Sequence, residues 1–269
     1  MTTSRSTPKP TPLRKTVLIT GASRGIGAAT ALLAAQQGYA VIVHYRRDAA
    51  AAVNVLRQIA AAGGTAIAMK ADVAVEPEIM AMFLEIDTLL VENPGWGRLS
   101  GLVNNAGIVA QSSRLQDMDT ARLQRMFDTN ILGSVLCARE AVKRMAAQPH
   151  DGKGQRGAIV NVSSVAARLG GAGNYVDYAA SKGAIDTFTI GLAREVAGDG
   201  IRVNAVRPGI IDTEIHASGG QPNRVKDMAS QLPMGRAGTA GEVAEAIVWL
   251  LGDGAGYTSG ALIDVAGGR

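Results

Sequence analysis

The chain is short of the residues that carry several familiar chemistries. Cys137 is its only cysteine, which excludes an intramolecular disulfide and a cysteine-built zinc cage. Only His44, His150 and His216 offer imidazole groups, and no metal site is expected. Aromatic residues make up 4% of the chain, so Ala, Val, Leu and Ile have to fill the core. No apolar run approaches the roughly 20 residues of a membrane-spanning helix, and no signal-peptide apolar stretch opens the chain. The expectation is a soluble, cytoplasmic protein that binds neither membrane nor metal.

Acidic residues are missing from one place in particular. Residues 1–15 hold Arg5, Lys9, Arg14 and Lys15 and no acid, with Pro8, Pro10 and Pro12 among Ser and Thr. This composition predicts a disordered basic tail, and the prolines argue against the amphipathic helix of a targeting peptide. In the rest of the chain the 23 acidic residues balance the basic ones. A neutral body argues against an extended nucleic-acid surface. Glycine, by contrast, is abundant at 33 residues, and 47% of the chain is hydrophobic. That suits a large core with many tight connections.

Residues 17–19 read as a short buried strand running into Thr20-Gly21-Ala22-Ser23-Arg24-Gly25-Ile26-Gly27 and then a helix to about Gln37. Strand, glycine turn and helix together make a phosphate cradle: the backbone approaches closely and the helix start presents free N–H groups. Gly21-Ala22-Ser23-Arg24-Gly25 also fits the Gly-x-Ser-x-Gly elbow of serine hydrolases. None of the three histidines follows a strand end in the late position such a triad requires, so the hydrolase is set aside. The second strand, 40–44, ends in Tyr45-Arg46-Arg47, where a carboxylate would otherwise meet a ribose. Arg24 and Arg46 place cations where a 2′-phosphate would lie, which favours NADP over NAD. Both Arg46 and Arg47 also fit solvated residues, Arg47 more than Arg46.

A helix over 49–62 and a strand over 66–70 bring Asp72-Val73 to a strand end, where a carboxylate can accept from an adenine amino group. After a helix at 76–91, strand 102–103 leads into Asn104-Asn105-Ala106-Gly107, small residues with an amide that can brace neighbouring backbone. A single long helix is expected over 120–147; in it Asn130 either distorts the helix and holds water or is simply solvated. Strand 158–162 delivers Ser163-Ser164, and the helix over 175–197 carries Tyr178 and Lys182. Four residues apart, these two share a helix face. An ammonium there favours the phenolate of a group whose pKa is ordinarily about 10. One lysine is too little for the whole shift, and alone the pair also reads as a solvated face. Strand 201–206 ends at Pro208-Gly209, and 210–232, rich in Gly, Pro, Ser and charge, suits a mobile lid. A helix at 241–251 and a strand at 261–264 complete the chain. Strand and helix thus alternate seven times. The predicted fold is α/β, a Rossmann-type doubly wound seven-stranded parallel sheet, in one domain over 16–269.

Taken together and in this order, the glycine loop, Asp72, Asn104 to Gly107, Asn130, Ser164, Tyr178 to Lys182 and Pro208-Gly209 resemble the short-chain dehydrogenase/reductases over essentially all of 16–269. The chain is most similar to the glucose 1-dehydrogenase-like and 3-oxoacyl-carrier-protein reductase-like members. The resemblance implies a catalytic tetrad. Tyr178 would protonate a carbonyl oxygen as nicotinamide delivers hydride, and Ser164 would orient that oxygen. Lys182 would hold the nicotinamide ribose and, with the oxidised cofactor's positive charge, lower the phenol pKa. Asn130 would hold a water linking Lys182 to solvent. Cofactor contacts are implied at Gly21, Ser23, Arg24, Gly25, Ile26, Gly27, Tyr45, Arg46, Asp72, Val73, Asn105, Ala106, Gly107, Tyr178, Lys182, Pro208, Gly209, Ile211 and Thr213. A small carbonyl or secondary alcohol is the implied substrate and a homotetramer the implied assembly. Arg168, Tyr175 and His216 are candidates for the substrate pocket. One departure is a residue more than many members have in the Gly170–Asn174 bend.

Two other functions compete. A non-catalytic NADP(H)-binding sensor would not need the acid, the orienting hydroxyl and the lysine that are all present. A sugar-nucleotide epimerase or dehydratase would need a larger substrate domain than follows Pro208. The lid sequence shows no cation cluster suited to an acyl-carrier protein and no aromatic cage suited to a steroid.

Overall fold

Val17, Leu18 and Ile19 are all fully buried, although successive residues of a strand point to opposite faces. Each face therefore needs its own cover, and the chain supplies it by winding helices onto both. The computed structural model describes residues 14–269; residues 1–13 of the expected tail lie outside them. Lys15 is not tail but the first residue of strand β1 (Lys15–Ile19), and Arg14 donates to the Thr65 hydroxyl at 2.7 Å.

Seven strands form one parallel sheet in the order β3-β2-β1-β4-β5-β6-β9. They are β1, β2 (Ala40–Tyr45), β3 (Thr65–Lys70), β4 (Arg98–Asn104), β5 (Gly157–Val162), β6 (Ile201–Pro208) and β9 (Leu262–Val265). A two-residue ribbon pairs β7 (Ile211–Asp212) with β8 (Gly238–Thr239) beside it. The reversal of strand order between β1 and β4 opens the crevice in which doubly wound sheets take their ligands.

On one face Val17, Ile19, Val41, Val43, Val103 and Val160 pack under α1 (Gly25–Gln36), α2 (Ala49–Ala61) and α10 (Ala240–Leu251). On the other, Leu18, Ile42, Leu102, Ile159 and Val203 pack under α3 (Glu76–Glu92), α5 (Gly133–Ala146) and α7 (Val176–Val196). Fully burying such a side chain contributes about 1.5–3 kcal/mol. Aliphatic burial on two faces thus compensates for the scarcity of rings. Phe83 is the exception, fully buried with the Arg144 guanidinium 4.9 Å above its ring.

Four features differ from the sequence-based expectation. β4 starts at Arg98, well before residue 102, because Arg98 and Leu99 pair with Lys15 and Thr16 of β1; Ser100 is the extra residue of a bulge there, and its hydroxyl donates to the Thr16 carbonyl (3.3 Å). The helix expected over 120–147 is α4 (Thr120–Phe127), a π-helical segment Asp128–Leu132, and α5. The glycine-rich bend after Ser164 contains a short helix, α6 (Ala166–Leu169). The expected lid holds β7, α8 (Ile215–Ser218) and α9 (Arg224–Met228).

Candidate active site and cofactor groove

β1 hands the chain to the glycine loop at the crevice. Gly21 has φ +64°, and a Cβ there would stand 3.0 Å from the Ala106 Cα. Only glycine meets both demands. The loop is tied to the end of β4 by Asn105, whose Nδ2 donates to the carbonyls of Thr20 (2.8 Å) and Gly21 (3.0 Å). From the β2 side, His44 Nδ1 accepts the Gly21 N–H at 3.0 Å while Nε2 faces the Ala71 carbonyl at 2.9 Å. That pair of contacts fixes the neutral Nε2–H tautomer. Burial lowers the His44 pKa, against the opposing pull of the Ala71 carbonyl and Asp72. Both ring nitrogens are engaged by backbone, so His44 is no base for Ser23, and the hydrolase elbow has no partner in it.

Helix α1 begins at Gly25 with Arg24 at its cap, no side-chain cap and no acid in its first turn. Its leading N–H groups and dipole are thereby left for an anion. Gly21, Ser23, Arg24, Gly25, Ile26, Arg46, Asp72, Val73, Asn105, Ala106, Gly107 and Thr213 line one continuous groove. Arg46 Nε lies 3.4 Å from an Asp72 carboxylate oxygen, with both side chains partly exposed, and Arg47 lines the groove too. A glycine cradle, an uncapped helix start and three arginines fit a dinucleotide with an additional phosphate.

Two expected cofactor residues stand elsewhere. Tyr45 packs against the aliphatic core under α1 and α2, because it shares the strand parity of Val41 and Val43. Gly27 is buried behind the groove, where a Cβ would run into the Gly21 carbonyl and the Asn105 amide; it sets the helix-to-loop distance. His44, Asp48, Ile108, Thr129, Glu214 and Ile215 also stand in the groove wall, where the sequence does not single them out. Parity along β2 was the available signal for His44, two residues before Arg46.

Past Gly107 the groove opens into a second chamber lined by Ser164, Tyr178, Lys182, Pro208, Gly209, Ile211 and Thr213, with apolar walls from Val109, Val165, Leu169, Ile210 and Ile215. Ser164 arrives from the end of β5, Tyr178 and Lys182 from the first turns of α7. The start of α7 is pinned by Asp177, fully buried in its side chain and held by Arg122 of α4 at 2.8 and 3.2 Å. Tyr175 lines the same chamber. Arg168 does not: its guanidinium is turned to Asp264 (3.0 Å) and the Arg269 carbonyl (3.1 Å). The His216 side chain lies outside those described.

The electrostatics of the pair differ from the simple expectation. Lys182 Nζ is 5.6 Å from the Tyr178 ring centroid and donates to the Val162 carbonyl at 2.7 Å. Burial brings the Lys182 ammonium down to about 8, with Asp186 opposing. Burial also raises the Tyr178 phenol above its ordinary value, against opposing effects of a hydrogen bond with Ser164 and the charge of Arg224. Desolvation of the phenolate thus outweighs the protein's own cations. A further positive charge brought into the chamber would act against that rise. Asn130 sits in the π-helical segment and is buried. Its amide is consumed by Ile108, whose N–H it accepts at 2.8 Å and whose carbonyl it donates to at 3.0 Å, and by the Ser181 hydroxyl (3.1 Å). It lies behind the chamber wall, with its Oδ1 and Lys182 Nζ on the same side of Gly107.

The comparisons with known proteins agree with this architecture. Residues 21–269 match the family model described as enoyl-(acyl carrier protein) reductase. The chain is 55% identical over 252 residues to the Escherichia coli (strain K12) protein named uncharacterized oxidoreductase YgfF, covering 94% of this chain and 98% of that one. Among solved structures it is similar to the promiscuous reductase LugOII, which catalyses keto-reduction at C1 during lugdunomycin biosynthesis. There the TM-score is 0.85 at 35% identity, covering 96% of this chain and 99% of that one. It is similar also to the angucycline C-6 ketoreductase LanV with bound NADP, with a TM-score of 0.85 at 32% identity over 95% and 96% of the two chains.

Proposed function

Because the chain belongs to the short-chain dehydrogenase/reductase family, an oxidoreductase family, we propose that it moves hydride between NADP(H) and a carbonyl or secondary alcohol, with Tyr178 as general acid and base. The observation that carries this reading is the meeting of Ser164, Tyr178 and Lys182 in one chamber that continues the glycine groove. Arg24, Arg46 and Arg47 at the far end of the groove support NADP, as does the NADP bound to LanV. Gly21, Gly25 and the start of α1 would hold the pyrophosphate, Asp72 and Val73 the adenine, and Pro208, Gly209, Ile211 and Thr213 the nicotinamide end. A nicotinamide bound there supplies the hydride and, when oxidised, the positive charge that the phenol lacks.

The chain's own residues manage the proton. In reduction, the Tyr178 hydroxyl gives its proton to the carbonyl oxygen, and Ser164 Oγ donates to the same oxygen and fixes its direction. Lys182, anchored on the Val162 carbonyl and titrating at about 8, stabilises the phenolate left behind. Asn130 clamps Ile108 and Ser181, which keeps both the wall and the Tyr178 turn of α7 in place. Ser181 in turn donates to the Tyr178 carbonyl at 2.7 Å.

General acid–base help of this kind contributes roughly 10²–10⁴-fold. Tyr178→Phe is expected to remove turnover across a panel of ketones while NADPH still quenches protein fluorescence. Near-wild-type turnover in that variant would refute the assignment. The assembly is proposed to be a homotetramer, read by light scattering at micromolar concentration, where a monomer would count against it.

A further inference from the structure

Resting on the oxidoreductase reading above, we propose that the chamber recognises an anionic substrate: a carbonyl or alcohol compound with an apolar body and a carboxylate, held by Arg224 and Arg269. Both arginines line the chamber that contains Tyr178. Arg224 comes from α9 in the lid. Its guanidinium stacks 5.0 Å from the Tyr175 ring centroid, donates to the Tyr175 hydroxyl at 2.9 Å and is hydrogen-bonded to Gln221. A flexible cation is thus held in one orientation by neutral partners only.

The charge count of the chamber points the same way. With Lys182 it presents three cations, and no Asp or Glu lines it. Among the described residues the contacts of Arg224 are with Tyr175 and Gln221, and no acidic side chain acts on Arg269. The two guanidiniums instead feel each other: burial and the Arg224 charge both lower the Arg269 pKa. The main-chain oxygen of Arg269 faces Arg168 at 3.1 Å, and no acidic side chain lines the cavity to neutralise the two guanidiniums, which favours the entry of an anion. Arginine's planar fork suits a carboxylate. Leu169, Val165 and Ile215 offer the rest of the ligand an apolar surface. Arg224 lines the same chamber as Tyr178, so one small molecule can meet both with its carboxylate and its reacting oxygen.

The test is equilibrium binding to the full-length protein saturated with NADPH, with benzoate and benzamide as matched non-reducible probes. Benzoate is expected to bind at least about tenfold more tightly than benzamide, as a charge-assisted contact replaces a neutral one. That preference should fall by at least about tenfold in Arg224→Gln and shrink in Arg269→Gln. Equal binding of the two probes, tighter benzamide, no binding of either at millimolar concentration, or a preference untouched by both substitutions would overturn the proposal. Reduction of 4-acetylbenzoate against its methyl ester is followed in parallel. Benzoate binding that depends on Arg224 without reduction of either ketone would leave the anion site standing and remove the oxidoreductase reading, so the two can fail separately.

Discussion

Arg46 is proposed to set which dinucleotide the groove prefers, and removing it should bring the NADPH and NADH affinities together in a measurable way. Its guanidinium stands 3.4 Å from Asp72 with 36% of the side chain exposed. A buried charge-assisted hydrogen bond contributes about 1.5–3 kcal/mol, but partial exposure screens the charge and Asp72 competes for it. We therefore assign Arg46 about 1–2 kcal/mol of 2′-phosphate binding, five- to thirtyfold in affinity. In Arg46→Ala the Asp72 carboxylate loses its partner and repels the phosphate, so both consequences act in the same direction. NADH has no 2′-phosphate, and its affinity should change by less than about threefold. Fluorescence titrations of wild type and variant with each cofactor at fixed ionic strength make the comparison. The wild-type preference should also shrink as salt rises, because these arginines are exposed. Parallel losses for both cofactors, or equal wild-type affinities, would refute the role given to Arg46.

Two other expectations concern the frame around the site. His44 has its pKa lowered by burial, whereas an unfolded histidine titrates near 6.5. Below that pH the unfolded chain takes up a proton that the native state resists, so stability falls as pH drops through 6.5 toward the folded value, by up to about 1.4 kcal/mol per unit. Urea unfolding at pH 7.5 and 5.5 should show a smaller acid loss in His44→Gln than in wild type; identical losses would count against the neutral tautomer. Arg202 is buried and donates to the carbonyls of Leu250 (2.7 Å), Leu251 (3.3 Å) and Gly252 (3.1 Å), closing the end of α10. Arg202→Met is expected to cost about 2–3 kcal/mol in urea unfolding with NADPH affinity intact, and a cost under about 0.5 kcal/mol would show that water caps that helix as well.

The doubly wound sheet was legible because its strands are short aliphatic runs, and glycine, Asp72, Asn105 and Ser164 punctuate their carboxyl ends. The start of β4 was not: Arg98 and Ser100 carry no apolar signal and are strand only because β1 lies alongside. Tyr45 was placed in the groove by its neighbours in sequence, although strand parity turns it to the core and leaves the groove to His44 and Arg46. The phenol's environment was out of reach for a different reason. An ammonium four residues away is visible in a sequence, but the loss of water around both groups is not, and that loss dominates. The chamber's cations were hidden by distance along the chain. Arg224 looked like one charge in a polar lid, and Arg269 comes from beyond β9; the fold alone makes them neighbours.

The π-helical segment Asp128–Leu132 also bears on chain length. It holds one more residue than an α-helix would use over the same rise. The widened turn absorbs that residue, so α5 leaves it facing the sheet as a regular helix one residue shorter would. Deleting one residue there would let α4 and α5 merge into a regular helix, and Leu136, Cys137 and Ala141 would keep their cover of the sheet. The loss would fall on Asn130 alone, whose clamp on Ile108 is aimed by the widened turn. The extra residue thus serves the wall of the site and not the packing of the helix that carries it.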